Sequence, residues 1–176
     1  MHASLEKVFN EIESQRESVL ASFRSMTVEQ LNKVPHPGSW SAAEVLSHVL
    51  AAERLSVAYM KKKYQGIQHS ARSGVLEELK MRVLMISQRL PGLKFKAPKR
   101  VVENTHRLTS LHEIENAWKE IRIELRHLLD SIPAEHLDRL IYKHPAAGYL
   151  NVRHALIFFR EHLHHHGPQL LRLRKH

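Results

Sequence analysis

In the stretch "NVRHALIFFREHLHHHGPQLLRLR", spanning Asn151–Arg174, an apolar run leads into four histidines within five positions and then into Gly-Pro. Asn151 is a good N-cap, and the pattern after it is that of one helix running to about Arg174. At 100° per residue, His166 lies about 40° from His162 and one turn further on. On the same scale Gln169 and Ala155 fall within about 20° of His162, and Phe158 and Phe159 bracket that stripe. His165 sits at its edge, about 60° away, and His164 points about 200° away, toward solvent. The cluster is therefore no affinity tag. A tag has no helical phase, whereas here an apolar stripe runs into His162 and His166, and Leu170 and Leu171 follow the cluster.

The rest of the chain reads as helical too. Leu5, Val8, Phe9, Ile12, Val19, Leu20 and Phe23 recur at helical spacing over about five turns, and "KVPHPGSW" breaks the pattern. Before the break, Thr27 has capping-box spacing and predicts a short turn. A second helix starts at Ser41, whose partner Glu44 completes another capping box, and should run to about Tyr64. "VLEELKMRVLMISQRL" is a further helical stretch, stopped by Pro91-Gly92. A long basic connection follows, Leu93 to about Thr109, of the kind that often covers a site. Ser110 and Glu113 open the next helix, which carries Leu111, Ile114, Trp118, Ile121, Leu125 and Leu128 on one stripe. "SIPAEHLDRLIYKHPAAGYL" reads as a connector with a short helix after Pro133. Four principal helices, with no strand-like alternation and no repeat, predict an all-α four-helix bundle over residues 1–176 as a single domain, with extra short helices in the connections.

Composition bounds the chemistry. The 176 residues include no cysteine, so disulfides, thiolate ligands and a cysteine nucleophile are excluded, and any thiol must come with a substrate. No serine sits in a nucleophile-elbow motif. No apolar run is long enough to span a bilayer and the first residues lack a signal-peptide layout, so the cytoplasm is the expected location. Net charge is +9 with a pI near 10.0, which favours anionic partners. The cations are dispersed and only 6% of residues are aromatic, which argues against nucleic acid. The competing expectation is a basic binding module for nucleic acid or an acidic partner, with incidental histidines and no catalysis.

Two imidazoles at i and i+4 can hold one metal ion, or they can simply hydrogen-bond to backbone and water. His48 offers a third ring. It lies on the stripe of Ser41, Val45, Ala52, Leu55 and Tyr59, with small Ala51 and Ala52 beside it. Bundle sites are assembled from inward-facing side chains on different helices, so the three rings could meet. Glu44, one turn before His48, could orient it or act as a base, though its capping role is favoured. Gln169 could bond a ligand or substrate, or merely finish the helix.

"WSAAEVLSHVLAAE" (Trp40–Glu53) resembles the Trp-Ser-x-x-Glu-x-x-x-His segment of the DinB/YfiT-like helical bundle proteins, and "HLHHHGPQ" (His162–Gln169) resembles that family's closing histidine motif. "HPAAGYLNVRHALIFFREH" is similar to its approach to the last helix, with Asn151 where Ser or Thr is common. The resemblance covers the whole chain. It implies a homodimeric four-helix bundle binding one divalent metal through His48, His162 and His166. It also implies activity as a thiol-dependent transferase or isomerase, using a small thiol such as bacillithiol or mycothiol, or as a metal-dependent hydrolase. Imidazole suits zinc, nickel, copper and iron alike, so spacing does not choose the metal; zinc is expected first and nickel second, with iron also possible, and the substrate would be a small, anionic molecule. Pro168 departs from the family pattern. It removes an amide donor and crowds the His164 carbonyl, so a kink or loosened turn is expected just after His166, weakening the metal site.

Overall fold

The computed structural model describes residues 1–90 and 99–175. Long helices carry the architecture: α1 Ala3–Ala21, α3 Ala42–Tyr64, α6 Leu111–Ser131 and α7 Val152–Leu173. α1 lies beside α7 and α6, and α3 lies beside the same two helices, which closes a four-membered bundle. Trp118, Phe23, Phe159, Leu46 and Met60 are among the fully buried side chains between them. α4 (Val75–Arg89) packs on the outside of α7, while the short α2 (Val28–Asn32) and α5 (Lys99–Glu103) rest on α3.

The helix starts are set locally. Thr27, Ser41 and Ser110 each accept from the amide three residues on, and Gln30, Glu44 and Glu113 each return a bond to the capping amide. Each reciprocal pair satisfies two amides that a helix N-terminus otherwise leaves without partners. Asn151 caps α7 by accepting from the His154 amide at 2.9 Å.

One expectation is corrected. The connector after Pro133 holds its single 3-10 turn, Ala134–His136, but it continues into an antiparallel hairpin of β1 (Leu140–His144) and β2 (Gly148–Asn151). Gly148 takes a positive φ of 74° where the chain re-enters the ladder, a conformation that glycine adopts without strain. The hairpin packs on α3 and α7 and buries Ile141, Tyr142 and His144. Of the long basic connection, residues 93–98 lie outside the described residues. The remainder folds against α3: the Leu108 amide donates to Ser47 Oγ at 3.1 Å, and Arg54 donates to the Asn104 carbonyl at 2.8 Å.

α7 runs without interruption through Pro168. The proline leaves only the His164 carbonyl without its helical donor, and His164 is on the exposed face, where water can serve it. The turn beyond the proline is anchored by buried Leu170 and Leu173.

The bundle also contains a buried ionic link between α3 and α6. Glu53 accepts from Trp118 Nε1 at 2.8 Å and from Arg122 at 3.0 Å, and both charged side chains are almost fully buried. Burial pushes the Glu53 carboxyl up despite the arginine. Removing one partner of a buried pair deprives the other charge of its buried counterion, which would leave Arg122 only the partly exposed Glu13, 3.3 Å away. Glu53→Ala is therefore expected to lower the unfolding free energy by about 3–5 kcal/mol, read by urea denaturation. A change within error of zero would show that Arg122 finds another anion.

Candidate metal centre

α3 and α7 bring His48, His162 and His166 to one point. Their ring centroids are 5.3 Å apart for His48–His162, 5.2 Å for His48–His166 and 4.9 Å for His162–His166. Each ring offers one nitrogen, and the three nitrogens all lie within 4.8 Å of one another. Ligand nitrogens about 2.0–2.1 Å from a tetrahedral zinc ion would be roughly 3.3 Å apart. Nitrogens within 4.8 Å of one another are near that spacing, so the group could hold a metal ion. His164 is exposed, as its helical phase predicts.

The surroundings fix the rings. Phe158 stacks on His162 at 5.3 Å and an interplanar angle of 18°. His144 approaches Phe158 from the hairpin at 4.5 Å. Trp40, 37% exposed, sits 5.1 Å from His48 and forms the outer wall beside that ring. His165 Nδ1 is 3.0 Å from the Gln88 carbonyl of α4, which places this ring outside the triad.

Hydrogen bonds bear on which nitrogen is available. Gln169 Oε1 accepts from His166 Nδ1 at 3.1 Å, which puts the proton on Nδ1 and leaves Nε2 as a lone-pair donor, the usual way a metal-binding histidine is oriented. His162 Nδ1 is buried and has no hydrogen-bond partner among the described residues. A buried polar atom without a partner is costly unless something outside the protein satisfies it. The donor set and this orphaned nitrogen both fit a divalent ion.

Glu44 does not serve the histidines. Its carboxylate accepts from the Ser41 amide at 2.8 Å and lies 3.8 Å from Arg107, so the capping role accounts for it. Glu161, next to His162 in the chain, is also committed: Arg89 donates to both its oxygens at 2.6 and 2.9 Å, and Arg160 reaches it at 3.0 Å.

Burial holds the site uncharged. It pushes His48 down to about 4, helped by the nearby His166, and holds His162 well below its ordinary range, helped by the neighbouring histidines. His166 is lowered by burial too, against the opposing effect of Gln169. His144 is lowered to about 4 by burial alone, and its Nδ1 accepts from the amides of Ala146 and Ala147 at 3.2 and 3.1 Å. At neutral pH all four imidazoles are neutral, the protonation state that metal ligation requires.

The pH dependence follows from these directions. Unfolded imidazoles titrate near 6.5, while His48 and His144 titrate near 4 in the fold. Between these values the unfolded chain binds more protons, so stability is lost as pH falls. Glu53, with its carboxyl pushed up, opposes this, but four imidazoles outweigh one carboxyl. The melting temperature of the metal-free protein should therefore decline from about pH 6.5 toward about pH 4. A flat or rising profile over that range would contradict neutral, buried rings.

Trp40, Phe158 and His144 complete the surroundings of the triad. Trp40 and Phe158 were visible in sequence as neighbours of the motifs, whereas nothing in the residue spacing tied His144 to the last helix. Among the described residues, no helix is long and apolar enough to cross a membrane. No curated protein and no solved structure matches the chain. A family model of the DinB superfamily matches residues 11–170, from α1 to beyond the histidine cluster. With that match, the helical architecture and the two histidine-bearing helices agree: the chain belongs to the DinB superfamily.

Proposed function

We propose that the protein is a divalent-metal-dependent enzyme that transfers a small thiol to an electrophilic substrate, with His48, His162 and His166 holding the ion. The proposal rests on one observation: three imidazoles, kept uncharged by burial, converge with no carboxylate among them. Such a donor set leaves a coordination position open and the ion's charge uncompensated, as in catalytic rather than closed structural sites. A divalent ion bound there supplies Lewis acidity, lowering the pKa of a thiol or a water molecule toward neutrality. Zinc is the first candidate, since three imidazoles with an open position are a known catalytic zinc set, and nickel, iron or copper are also compatible with imidazole ligands.

The protein's own groups favour the thiol over hydrolysis. Water attack draws on a general base, and Glu44, Glu53 and Glu161 are each committed to a cap or to buried partners. A thiol, with an ordinary pKa near 8.5, needs little help to ionise. With no cysteine in the chain, that thiol belongs to a cosubstrate. In the transfer the S–H proton leaves to solvent, the sulfur pair forms the new C–S bond, and the leaving group departs with its bonding pair. His162 is fixed by Phe158 and His166 by Gln169, so the chain presents these rings with little freedom to lose. The net charge of +9 attracts an acidic thiol or an anionic acceptor.

Metal-stripped protein titrated with zinc or nickel should take up one ion per chain, and His48→Ala, His162→Ala and His166→Ala should each abolish this. At a hundredfold excess over Kd the ion adds about 2.7 kcal/mol of stability, a rise of roughly 5–10 °C for a chain of this size. Gln169→Ala is expected to weaken binding about 10–100-fold by freeing His166 to take the wrong tautomer. Turnover of a chlorinated aromatic acceptor with a small thiol should require both metal and the three histidines. Thiol-independent release of product, with metal still required, would point to hydrolysis instead.

A further inference from the structure

His144 ends β1 at the tip of the hairpin, and the turn that follows bonds back to its ring. The amides of Ala146 and Ala147 both donate to Nδ1, at 3.2 and 3.1 Å, and Pro145 between them has no amide hydrogen to give. A ring nitrogen that accepts is a lone pair, so the hydrogen of this imidazole is on Nε2. That N–H has no acceptor among the described residues, and unlike His162 Nδ1 it is not closed off from solvent. The residue as a whole is 8% exposed. His144 therefore holds out one N–H, fixed in direction by two backbone bonds and unused by the fold.

The ring borders the metal centre. Its centre is 4.5 Å from Phe158, which stacks on His162 at 5.3 Å, and His144 is close enough to help hold His162 uncharged. It cannot be a fourth ligand, because one nitrogen is taken by two amides and the other carries hydrogen. Capping the turn does not by itself call for histidine, since an Asn or Asp oxygen serves nearby amides in the same way. What the imidazole adds is a rigid second nitrogen that donates, set beside three rings that present lone pairs. On the reading of the triad as a centre for thiol transfer, we propose that His144 Nε2 donates a hydrogen bond to the departing group of the acceptor. The acceptor is then one whose leaving group departs as an anion, a halide or an oxyanion. As the sulfur pair forms the C–S bond, the leaving group takes its bonding pair and gathers negative charge, which a preorganised N–H stabilises. The hydrogen stays on Nε2 throughout, so His144 exchanges no proton.

Two substitutions separate the roles of the two nitrogens. His144→Asn keeps an acceptor for the turn amides and removes the outer donor, whereas His144→Gln restores an N–H near the Nε2 position. With a small thiol and a chlorinated aromatic acceptor, His144→Asn should lower kcat about 10–100-fold, the worth of a hydrogen bond to a charged group, while zinc uptake stays at one ion per chain. His144→Gln should recover most of that loss. A residue that only caps the turn gives the reverse order, with Asn near wild type and Gln impaired. Independently of turnover, nitrogen-15 NMR of the histidine-labelled wild-type chain without metal should show His144 carrying hydrogen on Nε2. Chloride, the anion that leaves the chlorinated acceptor, should move that resonance when added to the zinc-loaded chain. These spectra decide the matter even if a variant fails to fold. Unchanged turnover in His144→Asn, hydrogen on Nδ1, or a resonance indifferent to chloride would each overturn the proposal alone. A wild-type chain that takes up no ion would overturn the metal centre and the proposal with it.

Discussion

Burial of uncharged imidazole is the constraint around which this molecule is arranged. A histidine in water carries its proton part of the time at neutral pH. His48 and His162 are placed where the charged form is penalised by desolvation and by each other's proximity to His166. Two consequences are linked. The rings keep lone pairs available, and the fold tolerates three basic groups within a few ångströms because none of them is charged. An ion arriving there displaces no protons from the rings, so its affinity is not reduced by competition at neutral pH.

The scaffold supports this from three sides. α7 supplies two ligand candidates one turn apart, and it is held by polar contacts from helices that donate nothing to the site. Arg160 reaches Glu11 on α1 at 2.6 Å, Arg89 on α4 clamps Glu161, and His154 meets Glu78 of α4 at 3.0 Å. α3 supplies the third ring and is tied to α6 through Glu53, Trp118 and Arg122. The hairpin fills the remaining side, with Tyr142 and His144 packed against Phe158, which itself stacks on His162. Residues that never approach an ion therefore set the positions of those that would.

Much of this was legible in sequence, for physical reasons that can be named. Helix starts were readable because a capping box is a local transaction between residues three apart, as at Thr27, Ser41 and Ser110. The inward aim of His162 and His166, and the outward aim of His164, followed from helical phase alone. Whether His48 would meet them depended on how two helices slide past each other, which phase does not specify; the family resemblance carried that step. The hairpin was missed because "LIYKHPAAGYL" offers strands of only four and five residues, too short for alternation to stand out. At Pro168 the helix continues where a loosened turn is expected, and the residue whose carbonyl loses its donor, His164, lies on the exposed face.

The central claim is that three imidazoles from two helices share one ion. X-ray absorption at the metal edge of the zinc- or nickel-loaded protein tests it most directly, because scattering from imidazole rings is distinguishable from that of carboxylate or water alone. The account predicts a first shell that includes three imidazole nitrogens, at about 2.0–2.1 Å for zinc, falling to two in Gln169-intact His48→Ala protein if any metal is retained. A first shell made only of oxygen, or an imidazole count unchanged by replacing His48, would contradict it.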